Sequence, residues 1–313
     1  MQNVSSPDQI AIVGGGAAAF FAAIACAESA PDLKITIYER AANFLGKVKI
    51  SGGGRCNVTH DCADTRRMAE EYPRGEKALA SLLHRFSPND TVEWFKQRGV
   101  TLKVEEDGRM FPISDSSQTI IDCFFEEARR LGIVLRARAN IQSIRASPGG
   151  GFALGVNSSS LSCDKVLIAT GGCRNPGSVA LLESLGHHVN PPVPSLFAFH
   201  IAAEWLNSLV GISLPFVEIS VPETGLREQG PVLITHAGLS GPCILRLSAW
   251  GAQVLHDLDY HFDIRIKWLP DLSEDKLRAK FQWMRQTHPN RHVINSPFES
   301  IPARLWAELA QQS

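Results

Sequence analysis

The chain has 313 residues and a formal net charge of -1, with 44% hydrophobic and 20% charged residues. That is long enough for two domains with cores of their own, and its scattered Lys and Arg argue against nucleic acid or an anionic membrane as main partner. No apolar stretch reaches the ~18 residues of a bilayer span, and residues 1–9 lack the basic start and apolar core of a signal peptide, so the expected location is the cytoplasm.

Ile10 to Val13 is an apolar run that enters Gly14-Gly15-Gly16; Ala17 to Ser29 then reads as a helix, and Lys34 to Tyr38 as a second strand ending at Glu39. Such a turn lets backbone approach a pyrophosphate, and the helix start offers free N–H groups and a positive dipole end. Gly14 makes the tight turn and Gly16 admits the phosphates. Ala17 and Ala18 add backbone N–H groups, and Ala19 is small enough for close helix–strand packing. Glu39 lies 23 residues past Gly16, near the spacing expected of a carboxylate that binds a ribose hydroxyl. A glycine-rich turn of some other α/β protein is the alternative, but strand, turn, helix, strand and acid all occur in order.

A long connection from Arg40 to His60 holds a second glycine cluster. Ser87-Pro88-Asn89-Asp90 opens a helix with a serine cap, proline at the first position and an acid in the first turn. That helix stops at Gly99. Val100–Val104 and Arg109–Phe111 form a hairpin, and Ser117–Leu131 is an amphipathic helix. Ile133–Leu135, Ile141–Ile144, Phe152–Val156 and the strand around Leu161 read as an antiparallel meander. It leads into Lys165–Ile168, a buried strand that meets Ala169-Thr170-Gly171-Gly172. The pattern is α/β, a doubly wound sheet with a small β-insert on its crossover. Pro191-Pro192-Val193-Pro194 is stiff and marks a boundary between domains at 1–192 and 193–313. Beyond it, Val217–Val221 and Val232–Thr235 are β-like, and Ser240-Gly241-Pro242 starts a helix toward Leu255. His261–Trp268 alternates as a half-exposed strand, Ser273 caps a helix, and a last helix covers Pro302–Gln311. The seven cysteines form no CxxC pair and no zinc spacing, so free thiols and no metal site are expected.

Three further segments carry a resemblance: Gly46 to Thr59 (GKVKISGGGRCNVT), Ala169 to Gly172, and Thr235 to Pro242 (THAGLSGP). With the N-terminal fingerprint, Asp107–Pro112 and Ile301–Trp306, they resemble the BaiN/aminoacetone-oxidase family of bacterial FAD flavoproteins over nearly the whole chain. The resemblance implies a glutathione-reductase-type FAD-binding Rossmann domain with a β-meander crossover, plus a β-rich α+β insert domain that caps the flavin. Family members continue into a glycine-rich segment that returns to the FAD domain. This chain ends before it, so the expectation is a truncated product or fragment.

The resemblance also implies roles for particular residues. Gly14, Gly16, Ala17 and Ala18 surround the pyrophosphate, and Glu39 binds the adenosine ribose. Arg40 stacks on adenine or is a solvated charge, and Ile141 lies beside the adenine or is a plain strand residue. Ser51, Gly52 and Gly53 form a second close backbone approach along the ribityl chain and flavin. Arg55 stabilises a reduced flavin near N1/O2, or else binds a phosphate or carboxylate. Cys56 is a packed thiol rather than a redox group, since Cys62 is six residues away. Asn57 and Thr59 hydrogen-bond the flavin edge or the loop, and Ala169, Thr170 and Gly171 touch the cofactor where the chain re-enters the sheet. Arg55 and Asn57 are the candidate catalytic groups. His60 and His236 have open roles, and the adjacent His187 and His188 make a poor metal pair.

The leading expectation is an FAD-dependent oxidoreductase that transfers a hydride between flavin N5 and a small organic substrate. NAD(P)H, if it is the reductant, would use a transient site; otherwise oxygen is the acceptor. The alternatives are a truncated, catalytically silent nucleotide-binding protein and an NAD-dependent dehydrogenase without flavin, which would leave the SGGGRCN loop unexplained.

Overall fold

Strand Gln9–Val13 (β1) is apolar on both faces, and the computed structural model, which describes residues 8–173, 176–298 and 300–312, shows what each face meets. Ile12 joins a core with Phe20 and Ile24 of helix Ala17–Ser29 (α1), whereas Ala11 and Val13 join a second core around Ile144 and Leu154. Side chains alternate along a strand, so two cores on one strand require a layer above and a layer below. Lys34–Tyr38 (β2) is split likewise: Ile35 and Ile37 face the helices, and Tyr38 packs on the other side.

The sheet between these layers has the order Lys165–Ile168, β1, β2, Val134–Arg136, with every pair parallel. The doubly wound α/β arrangement is thus present. Val134–Arg136 departs from the expectation that it opens the meander: it pairs in register with Thr36–Tyr38 as the fourth parallel strand. Three residues carry too little pattern to reveal direction, and the helix before them delivers the chain to the sheet. The meander consists of Ile141–Ala146, Phe152–Val156 and Ser159–Cys163, all antiparallel. Lys165–Ile168 reads as buried but lies at the sheet edge among the described strands, with Leu167 39% exposed.

Helices Pro88–Lys96 and Ser117–Arg130 join α1 in the upper layer. The first has a reciprocal capping box, in which Ser87 Oγ accepts from Asp90 N–H and the Asp90 carboxylate accepts from Ser87 N–H at 2.7 Å. The second buries Ile120, Ile121, Phe124 and Ala128, the positions its 3.6-residue period selects. Phe20 is fully buried and meets Phe44, Phe124 and Phe125 with ring centroids 5.5–5.8 Å apart. At the edge of this core Arg98 is 10% exposed, stacks on Trp94, and pairs with Glu28 at 2.6 Å and Glu127 at 3.2 Å. The long connection 40–60 contains, besides its glycine cluster, a short helix at Gly46–Ile50 (α2).

The chain divides into two compact units between Pro192 and Val193. The second has a five-stranded antiparallel sheet in the order Phe199–His200, Gly238–Ser240, Leu226–Thr235, Ser213–Val221, Arg265–Lys267. Its core joins Val217, Ile219, Val232 and Ile234 to Ile244 and Leu247 of helix Pro242–Trp250, and to Leu305 and Trp306 of helix Ala303–Gln312. Two elements differ from the sequence reading. The helix toward Leu255 breaks at Gly251, where a Cβ would meet Leu226 Cδ1 at 2.5 Å, and resumes as Ala252–Asp257. The alternating run 261–268 is a ladder strand only at Arg265–Lys267, paired with Glu218–Ser220, while Phe262 and Ile264 pack on the core.

All seven cysteines are unpaired. Among the described residues no helix is long and apolar enough to cross a membrane, and no group of three His, Cys, Asp or Glu is placed to hold a metal ion.

The hydrogen bond from Arg130, with the nearby Arg98 charge, holds the Glu127 carboxyl below the usual carboxylate range against the opposing effect of burial. A lowered folded-state value stabilises the protein above the unfolded value of about 4.3 and ceases to do so as pH falls through the folded one. Glu127→Gln is therefore expected to cost about 1–2 kcal/mol near neutral pH. In urea unfolding curves taken down the acid range, the gap between variant and parent should close.

Candidate functional site

The turn after β1 is held from three directions. Gly14 N–H donates to Tyr38 O at 2.8 Å, Gly15 N–H donates to Glu39 Oε2 at 2.7 Å, and Gly15 O accepts from Leu45 N–H at 2.8 Å. The other carboxylate oxygen of Glu39 accepts from Ala41 N–H at 2.8 Å. Gly14 has φ +107, and a Cβ there would run into the carbonyl of Ala169, so this position admits only glycine. Gly15 is crowded too, by Phe44 and Glu39.

Gly16 is different. Nothing lies within 4 Å of where its Cβ would be, and its φ of -92 is one that any residue adopts. It is the N-cap of α1, with no side chain capping the helix. The first N–H groups of this 13-residue helix are thus uncapped, and Ala17 and Ala18 form its exposed first turn. An open face beside an uncapped helix start is the arrangement that receives a phosphate.

Gly14, Gly15 and Gly16 line a cavity of about 640 Å³ at the carboxyl ends of the parallel strands. The cavity brings together eight of the residues expected at a cofactor: Gly14, Gly16, Glu39, Arg40, Ile141, Ala169, Thr170 and Gly171. They converge because three segments are stitched to one another. Ala139 N–H donates to Glu39 O, Arg138 N–H to Ala41 O, and Ala169 N–H to Val13 O, at 2.8–2.9 Å. Residues at the outer end of the meander's first strand thereby reach the mouth of the glycine turn.

The second glycine cluster is not part of that lining. Ser51–Gly54 forms a tight turn with Gly52, Gly53 and Gly54 at φ +56, +70 and +87. Gly52 is required by packing, since a Cβ would meet Asn57 N at 2.7 Å and Phe111 Cε1 at 2.8 Å, whereas Gly53 has open space. Ser51 Oγ donates to Val48 O at 2.9 Å, and Asn57 is exposed. Arg55, the first catalytic candidate, lies 4.0 Å over the Phe111 ring and pairs with Glu105 and Asp115. Its guanidinium is thus already matched by two carboxylates. Cys56 is buried with φ +64, and its N–H donates to Ser51 O at 2.9 Å. Burial pushes its thiol up, with the Ser51 side chain opposing more weakly. His60 Nε2 lies 3.0 Å from Asp107 O in the short strand Thr59–His60.

Five polar residues of the lining had no role assigned from sequence: Asn43, Lys47, Asn140, Gln142 and Ser178. Lys47 is the most pointed, since its Nζ would lie 3.2 Å from a Cβ on Gly171. Its signal was its place at the head of the GKVKISGGG segment, on α2, which Leu45 anchors to the glycine turn.

The family model for the HI0933-like protein Rossmann domain matches residues 8–245, and that for the HI0933-like protein barrel and H2TH domain matches residues 193–313. The chain belongs to the HI0933-like family. This is a family of FAD-dependent oxidoreductases that includes BaiN-like members, as the motifs imply. The chain is 29% identical over 309 residues to a ribosomal RNA dihydrouridine synthase of Escherichia coli K12, covering 96% of this chain and 72% of that protein. It is 26% identical over 299 residues to a 3-dehydro-bile acid delta(4,6)-reductase of Clostridium scindens, covering 93% and 70%. Among solved structures, a 3-ketosteroid-delta4-(5alpha)-dehydrogenase from Rhodococcus jostii RHA1 matches at 13% identity and TM-score 0.45, over 68% of this chain and 61% of that one.

Two outcomes test this geometry. Gly16→Val should fold with its thermal transition little changed yet bind FAD more than about tenfold more weakly by fluorescence titration. Gly14→Ala, which meets backbone, should lower the transition itself. A buried, protonated thiol is a poor nucleophile, so brief alkylation of the native protein should label the half-buried Cys26, Cys62 and Cys173 and spare Cys56 in peptide mass spectra.

Proposed function

We propose that this protein is an FAD-dependent reductase of carbon–carbon double bonds conjugated to a carbonyl. The observation that carries the nucleotide half is the open face of Gly16 under the uncapped start of α1, with Glu39 at the end of the next strand. In this reading the α1 start and Gly16 hold the pyrophosphate. Glu39 uses its remaining acceptor capacity on the ribose, since both of its oxygens already take backbone N–H groups but a carboxylate has about four acceptor sites. Main chain at Ile141 and the Arg40 side chain border the adenine. Lys47 and the Ala169–Gly171 turn line the same cavity, with Lys47 Nζ close to Gly171, and border the rest of the cofactor.

Bound FAD, once reduced by an external two-electron donor, would supply a hydride from N5 to the carbon β to the carbonyl, and a proton from solvent would complete the α carbon. The chain's part is to orient the cofactor and to keep anionic charge balanced. Lys47 is a cation already in the cavity and without a described ion-pair partner, whereas Arg55 is engaged by Glu105 and Asp115. The class of substrate follows from the relatives' activities. Making dihydrouridine and reducing a 3-oxo bile acid at its delta(4,6) bonds both add two hydrogens across a double bond conjugated to a carbonyl. Family membership favours this oxidoreductase reading over a silent nucleotide-binding protein.

The purified protein is expected to be yellow and to release FAD on denaturation. After anaerobic chemical reduction, its visible flavin band should return on adding a uridine-containing RNA or a conjugated steroid dienone, but not the saturated counterparts. A protein that takes up FAD and is re-oxidised by oxygen but by neither enone would overturn the reading.

A further inference from the structure

A net charge near zero conceals a segregation of charge in the second unit. Between Lys276 and Phe298 the chain has Lys276, Arg278, Lys280, Arg285 and Arg291, and no Asp or Glu. Most of this stretch is helix Glu274–Thr287, whose acids, Glu274 and Asp275, sit in its first turn. Acids there satisfy the helix dipole and leave the remaining turns purely basic.

The helix packs on the core through Leu277 and Phe281. At 100° per residue, Lys276, Lys280 and Trp283 share one flank, and Arg278 and Arg285 share the other. Successive bases four residues apart are about 6 Å apart along the axis. Arg278 is paired with Glu274 at 2.5 Å, and Lys280 lies 4.7 Å from the centre of the Phe298 ring. Among the described residues, Lys276, Lys280, Arg285 and Arg291 have no ion-pair partner. Trp283 is 56% exposed, its ring edge-on to His288 with centroids 6.2 Å apart. A large aromatic residue left in water among unpaired bases serves neither the core nor the ion-pair economy of the surface. It suits a ligand with both phosphates and flat rings. A membrane-binding helix would instead bear a broad apolar face between its flanking bases, and here that face is committed to the core.

We propose that this helix binds RNA, with phosphates on Lys276 and Lys280 of one flank, on Arg285 of the other and on Arg291 beyond its C-terminal end, and with Trp283 stacked on an unpaired base, so that the double bond the protein reduces is carried by a base in RNA. The substrate half rests on the reading above; the binding half does not.

The test is fluorescence anisotropy of a labelled single-stranded uridine-rich RNA with the full chain, at several salt concentrations and with no turnover. Lys276→Gln/Lys280→Gln/Arg285→Gln/Arg291→Gln is expected to weaken binding more than about tenfold and to flatten the salt dependence by up to about three units of log K per log salt. The variant Arg66→Gln/Arg67→Gln/Lys77→Gln/Arg85→Gln removes the same charge from exposed positions of the first unit, and should bind within about twofold of the parent. Trp283→Ala should weaken binding with the salt slope unchanged. Equal losses in both quadruple variants, no binding by the parent at low salt, or binding by this helix to phosphatidylglycerol vesicles but not to RNA would each overturn the proposal. RNA binding that survives alongside failure of the flavin re-oxidation experiment would sink the reductase reading and leave this surface standing.

Discussion

The hydrogen bond from Gly15 N–H to the Glu39 carboxylate is the constraint on which the rest of the first unit depends. It ties the turn after β1 to the end of β2, and the same carboxylate, through Ala41, fixes the start of the next connection. With Gly14 bonded to Tyr38 and Gly15 to Leu45, the turn spends its inner backbone groups on the protein itself. Gly16 and the first turn of α1 are left over, facing open space. A binding site of this kind is built by satisfying every neighbour and leaving one helix end unsatisfied.

The two cores explain how that turn is held rigid. β1 buries Ile12 upward against α1 and buries Ala11 and Val13 downward against the meander. The meander is therefore more than a crossover. By packing under the sheet it brings Ala139 to Gln142 to the cavity, next to Glu39. The tight SGGG turn has a different task from the first glycine cluster. Its positive φ values and the closeness of Asn57 and Phe111 to Gly52 make it a compact corner that positions the Arg55–Glu105–Asp115 cluster.

Charge behaves similarly in the second unit. Averaged over the chain, it predicts little attraction for polyanions, yet averages do not reach a partner; local fields do, within about 8–10 Å at ordinary salt. The helix Glu274–Thr287 has its acids at one end and its bases along both flanks, so a protein of near-zero net charge carries a locally basic helix.

The local elements and the glycine turn can be read from the residues alone. Apolar runs, caps and periodicity mark β1, α1, β2 and the helices at Pro88 and Ser117, because these signals are short-range and each residue reports on its own neighbours. The acid at Glu39 is legible for the same reason, since a strand of five residues must end near it. Which segments meet is set by long-range packing. Val134–Arg136 is too short to announce that it runs parallel to β2, and Lys165–Ile168 looks buried although it is an edge. Lys47 enters the cavity only because Leu45 docks its helix on the glycine turn, whereas Arg55 is captured by carboxylates 50 and 60 residues away. Such partners are set by long-range packing, and no local pattern encodes them.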